Sequence, residues 1–136
     1  MYKEMIISFI ILIIILLGNY ITQNNTNKSV DILSNNLIVL REEINKETNK
    51  KTNGEKREED ITNQFNKISD IWKKEYIKMA YYIEHDELEK VETEITKIKS
   101  NIETEEYSNA IECIDSCNFI LEHIKDKTAL KIVNIF

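Results

Sequence analysis

The chain has no proline, and its only glycines are Gly18 and Gly54. Tight β-turns draw on both residues, so a turn-rich sheet protein is disfavoured and long helices are favoured. Two glycines also leave no glycine-rich loop to cradle a phosphate. Basic residues are outnumbered 18 to 24 by acids, for a net charge of −6. Neutralising a phosphate backbone needs a basic face, so nucleic acid is not an expected partner. The two histidines, His85 and His123, do not share a helical zinc-binding spacing, and no Ser/His/Asp grouping stands out. Neither an enzyme nor a cofactor is expected. Isoleucine, lysine and asparagine together make up 56 of the 136 residues. A bias of that kind follows from an AT-rich genome, and it strips meaning from the Asn-x-Thr/Ser triplets at Asn24 and Asn27.

What the chain does have is one long apolar run. From Met5 through Ile10 and Ile15 to Leu17 the only polar residue is Ser8, and there is no charge. A helix over Met5–Ile21 is about 26 Å long, slightly under the roughly 30 Å of a bilayer core. Tyr2 and Tyr20 flank the run at interfacial positions, and Lys3 can reach the headgroups. A cleaved signal, a retained anchor and a buried core helix all fit an apolar run. Gly18 is preceded two positions earlier by Leu16 and Thr22 by Tyr20, so neither makes a good cleavage site, and a helix apolar on all faces needs a larger body to bury it. The reading adopted is a retained single-pass anchor over residues 1–21. Lys3 and the amino terminus carry the only charge bias nearby, which favours a cytoplasmic start and an extracytoplasmic body.

Residues 22–28 (TQNNTNK) read as a polar linker, and 29–136 as a helical domain. Ser29 is the expected cap of a first helix, whose stripe is Val30, Leu33, Leu37, Leu40 and Ile44. Charges from Lys46 to Asp60, with Gly54, indicate a hairpin. A second stripe runs Ile61, Phe65, Ile68, Trp72, Met79, Ile83. The phase then breaks, and Leu88, Val91, Ile95, Ile98 and Ile102 form a third. Asp86 with Glu89 three residues on suggests a cap for that helix. Thr104 is a cap candidate for a last helix with Ala110, Cys113, Cys117, Ile120 and Ile124 on its apolar face, flanked by Ile114 and Leu121. The expected fold is all-α: a membrane helix, then an antiparallel bundle of about four helices near 29–52, 56–84, 86–102 and 105–126, with the tail Thr128–Phe136 docked on it.

Residues 84–106 hold nine acids against three lysines, so the net charge concentrates there. With Tyr81 and Tyr82, the acids of this segment, Glu87 and Glu94 among them, form the candidate surface for a protein partner. His85, Asp86 and Glu87 are the densest cluster of potential metal ligands; helix capping is the simpler role for them. Cys113 and Cys117 read as small buried hydrophobes. Self-association through the heptad-like stripes is a further possibility.

Trp72, the run Ile83-Glu84-His85-Asp86-Glu87-Leu88 with Val91 and Glu92, the Ile95–Ile102 stripe, the helix Ala110–Ile124 and the ending Asn134-Ile135-Phe136 resemble one family of short bacterial proteins, domain of unknown function 4363. The resemblance covers nearly all of the chain after the linker. Met79 departs from it, standing where a second aromatic is expected. It implies an apolar amino-terminal segment followed by a small helical domain, and carries no assigned activity. The functional expectation is therefore a membrane-anchored binding or scaffold module of the cell envelope, with metal binding at residues 85–87 or homo-oligomerisation as alternatives.

Overall fold

The structure is a computed structural model that describes residues 1–49 and 54–133, and the side chains of residues 1–48 and 58–129. Four helices follow in order: α1 (Tyr2–Asn49), α2 (Gly54–Met79), α3 (His85–Glu103) and α4 (Tyr107–Val133). Among the described residues there is no strand. Each helix packs on its neighbours in sequence, α4 closes back onto α1, and among the described residues the backbones of the diagonal pairs do not approach one another. The result is an up-down-up-down ring of helices, as short connections impose. The seam between α2 and α3 is the thinnest of the four.

The apolar stripes fill the middle of the ring. Val30, Leu33, Leu37, Leu40 and Ile44 come from α1, and Ile61, Phe65, Ile68, Trp72 and Met79 from α2. Leu88, Val91, Ile95 and Ile98 come from α3, and Ala110, Ile114, Cys117, Leu121 and Ile124 from α4. On α4 the face is rotated from the expected one: Ile114 and Leu121 are core, while Cys113 and Ile120 sit at its margin. Ile114 and Leu121 together bury more apolar area than Cys113 and Ile120 would, and Cys117 stays buried between them.

The main departure from expectation is the linker. Residues 22–28 are helical, and α1 runs unbroken through them. Asparagine and threonine are weak helix formers, but the buried face continues upstream through Thr26 and Ser29, which are 0% and 2% exposed. Packing overrides propensity here. Thr26 also turns its hydroxyl back onto the Thr22 carbonyl at 2.9 Å, which satisfies it inside the helix. Ser29 is therefore no cap. The first 17 residues of α1, Tyr2–Gly18, are exposed on all sides. Among the described residues, α1 is the one helix long and apolar enough to cross a membrane.

The other boundaries shift by a few residues. Of the hairpin expected over 46–60, residues 46–49 belong to α1 and 54–60 to α2, which Gly54 opens, and residues 50–53 lie outside the described ones. The break after α2 comes at Ala80–Glu84, where the Tyr82 and Ile83 amides both donate to the Met79 carbonyl at 3.0 and 2.8 Å. Glu84, not Asp86, is the cap residue of α3, and it makes no side-chain capping bond. Asp86 and Glu87 stand in the first turn, where the helix dipole favours carboxylates. Thr104 ends α3 instead of starting α4. The tail is a continuation of α4 as far as Val133; the ending Asn134-Ile135-Phe136 is outside the described residues.

The α3–α4 turn closes in a paired hydrogen-bond pattern. The Glu106 amide donates to the Asn101 carbonyl at 2.8 Å and the Glu105 amide to the Ile102 carbonyl at 3.1 Å. This motif needs a left-handed residue, normally glycine, and the chain uses Glu105 at φ 56°. A side chain there costs about 1–2 kcal/mol, partly offset by the roughly 0.5–1 kcal/mol of extra chain entropy that glycine loses. Glu105→Gly should accordingly stabilise the bundle by about 0.5–1 kcal/mol, seen as a rise of a few degrees in Tm. A lower Tm in the variant would contradict this account of the turn.

Candidate functional site

Of the side chains singled out from sequence, Tyr81, Tyr82, His85, Asp86 and Glu87 lie at one end of the bundle, the end facing the free part of α1. Two cross-helix contacts give the register of α1 against α4: Lys125 with Asp31 at 2.8 Å and Arg41 with Asp115 at 2.9 Å. Against α2, Gln64 donates to the Asn36 carbonyl at 3.1 Å and Ser29 meets Glu75. The α2–α3 turn and the last turns of α4 therefore lie level with the 22–28 segment of α1. We call this end the base.

A polar layer seals the base beneath the apolar core. Glu75 is 4% exposed. It accepts a hydrogen bond from Ser29 Oγ at 2.6 Å and two from Lys78 Nζ at 2.9 and 3.2 Å. Burial pushes the Glu75 carboxyl up, but the Ser29 and Lys78 hydrogen bonds and the nearby Lys78 and Lys74 charges outweigh it, leaving the group below its ordinary value of 4.5. Sequence reasoning passed over Glu75. The signal was there: in the stripe that runs to Trp72 and on to Met79, position 75 is three residues after one and four before the other, so it faces the core. Thr26 and Ser29 extend the α1 stripe upstream in the same way. Tyr82, half-buried beside Thr26, has its phenol pushed up by burial.

A second buried carboxylate lies across the turn. Glu87 is 7% exposed, which corrects its place on a free partner surface. Lys90 Nζ donates to it at 3.2 Å, and Lys127 lies 3.5 Å away while also donating to Glu84 at 3.1 Å. Burial raises Glu87, and Lys90 and Lys127 more than reverse this, so it too stays ionised below its ordinary value. The crevice between Tyr82, Ile83, Glu84, Glu87, Ile124, Lys127 and Thr128 is only about 20 Å³, room for about one water.

The remaining candidates do not converge. Tyr81 is 85% exposed at the turn. Glu94 is half-buried on α3, paired with Lys97 at 2.8 Å. His85 has its Nδ1 3.4 Å from the Tyr76 hydroxyl, Asp86 points outward, and Glu87 turns inward to its lysines. Among the described residues no three His, Cys, Asp or Glu side chains form a group that could hold a metal. Burial raises both thiols, Cys117 to about 12, with the Glu94 charge adding to each. A deep thiol such as Cys117, held in the protonated form, is a poor nucleophile and ligand. Met5, Ile10, Ile15 and Leu17 remain exposed on the free half of α1.

The two carboxylates tie the α2–α3 turn to α1 on one side and to α4 on the other, and that is a structural task. Their folded pKa values lie below the unfolded ones. Each therefore contributes stability that is present above about 4.5 and is lost as pH falls through the folded value. Thermal melts should hold steady from pH 7 to 5 and fall below that. Glu75→Gln should lower Tm at pH 7 and reduce the acid-induced drop. An equal drop in variant and parent would mean that Glu75 does not carry the dependence.

No curated protein and no solved structure matches the chain. A family model does, over residues 20–135: Domain of unknown function (DUF4363). The match begins at the end of the apolar run and takes in the polar layer, the α2–α3 turn and the whole four-helix ring. The resemblance carried by Trp72, the 83–88 turn and the later stripes thus extends across the folded part of the molecule, and the chain belongs to the DUF4363 family.

Proposed function

We propose that the protein is a membrane-anchored, non-catalytic helical module of the cell envelope that binds or scaffolds another envelope component. One observation carries the reading. The first part of α1 is apolar on all faces and wholly outside a bundle whose core begins only at Thr26. The uncharged stretch Met5–Ile21 is helical throughout, about 26 Å long and slightly under the roughly 30 Å of a bilayer core, with Lys3 and the flanking tyrosines placed to reach the interface. Such a helix left in water would expose a very large apolar surface. Lys3 and the amino terminus, offset in part by Glu4, lie on one side of the run and no charge stands on the other until Lys28, which supports a cytoplasmic amino terminus and an extracytoplasmic bundle.

The partner face in this reading is the outward row of α3, Asp86, Glu89 and Glu92, all exposed. Glu87 and Glu94 are taken up by lysines of the bundle, and the heptad-like stripes that suggested self-association are used inside the ring.

Full-length protein should stay with membranes through a carbonate wash and leave them only in detergent, whereas residues 22–136 should be soluble and helical. Protease added to intact spheroplasts should remove the bundle. In the same membranes, Glu89→Lys with Glu92→Lys should lose crosslinked partner adducts. Release of the full-length chain by carbonate would refute the anchor. Unchanged adducts would refute the α3 face.

A further inference from the structure

We propose that the base of the bundle rests on the lipid headgroups of the membrane that takes the anchor, with Tyr81 entering the interface. The inference builds on the anchored reading above and adds where the bundle sits.

The distance follows from the chain itself. Ile21 ends the apolar run and Thr26 is the first residue buried in the bundle. Five helical residues cover about 7.5 Å. The headgroup layer on each side of the hydrocarbon is about 5–8 Å thick. Because α1 is unbroken across 22–28, the bundle cannot swing away on a tether. The register already described puts the Ala80–Glu84 turn level with this segment, and Tyr82 beside Thr26 agrees. The base therefore occupies the headgroup layer.

The side chains there suit it. Lys74, Ile77, Lys78 and Tyr81 follow at helical spacing along the end of α2 and into the turn. Ile77 is 64% and Tyr81 85% exposed, and both lysines are exposed. An apolar body with a polar tip is what the interface favours in tyrosine, and lysines there meet lipid phosphates. Charge is arranged to match. Segments 22–28, 76–86 and 128–133, which the register sets level with one another, hold two acids and three lysines. Lys3 and Glu4 cancel, so a net charge of −7 lies on the remainder of the chain. An anionic bilayer repels that remainder and leaves the base in contact.

The test uses the full chain in phosphatidylcholine–phosphatidylglycerol vesicles carrying acyl chains brominated near the headgroup. In a Trp72→Phe background, single tryptophans are placed by Tyr81→Trp, Phe9→Trp in the anchor and Phe119→Trp on α4. Phe119 is 75% exposed and, by the α1–α4 register, about 24 Å beyond Ile21. The Tyr81→Trp chain should lose emission to the bromines, shift to the blue and resist aqueous iodide. The Phe119→Trp chain should do none of these. If Tyr81→Trp behaves like Phe119→Trp while Phe9→Trp is quenched, the contact is refuted and the anchor stands. If Phe9→Trp is also unquenched, both fall. A nitroxide on Tyr81→Cys, in a chain carrying Cys113→Ala and Cys117→Ala, reads the same depth by oxygen against nickel accessibility and leaves Trp72 in place. High nickel access there would equally overturn the contact.

Discussion

A helix whose hydrogen-bond ladder is intact has no joint. Once α1 runs unbroken through residues 22–28, everything packed on its second half takes its position from the first. The first half presents isoleucine, leucine and phenylalanine in every direction, and the second presents one buried stripe and a polar outer face. The same element therefore answers to two environments, and the change occurs within five residues, between Ile21 and Thr26. The orientation of α2, α3 and α4 follows from that, because each is held in the ring by the seam it shares with its neighbours.

The polar layer stands where the change happens. Ser29 and Lys78 fill the acceptor sites of Glu75, and Lys90 and Lys127 those of Glu87. Paired carboxylates of this kind are not a strong source of net stability, since desolvation offsets much of the attraction. What they add is geometry. A carboxylate that is satisfied only when Ser29 faces Glu75 disfavours any slip of α2 along α1, and a slip is the natural error between two heptad-like stripes. Glu87 and Lys127 do the same between the α2–α3 turn and α4.

Much of this was legible in the sequence, and the exceptions share a cause. Four helices, their core stripes and the exposed apolar run follow from periodicity, because apolar burial dominates those positions. Val30, Leu33, Leu37, Leu40 and Ile44 need no more than their spacing. The helical 22–28 segment was hidden because its residues are weak helix formers, and what makes it helical is a buried face of Thr26 and Ser29 that only the partner helix reveals. Glu75 stands on the core-facing side by its spacing from Trp72 and Met79, yet a glutamate on a helix, Glu87 included, reads as solvated until the lysines and the serine that hold it are placed around it. The α4 face turned toward Ile114 and Leu121, which as a pair bury more apolar area than Cys113 and Ile120, a choice that a pattern of apolar letters does not rank. Glu105, in a conformation usually given to glycine, left no mark in a chain with almost none to spare.

Continuity of α1 is the claim on which the rest stands, and backbone amide exchange reads it directly. In full-length protein held in lipid nanodiscs, hydrogen–deuterium exchange should show protection running without a gap from Ile21 through Ser29 into the bundle, with residues 22–28 exchanging as slowly as a packed helix. Complete exchange of those seven amides within seconds, between a protected anchor and a protected bundle, would mean a flexible tether and would contradict the account.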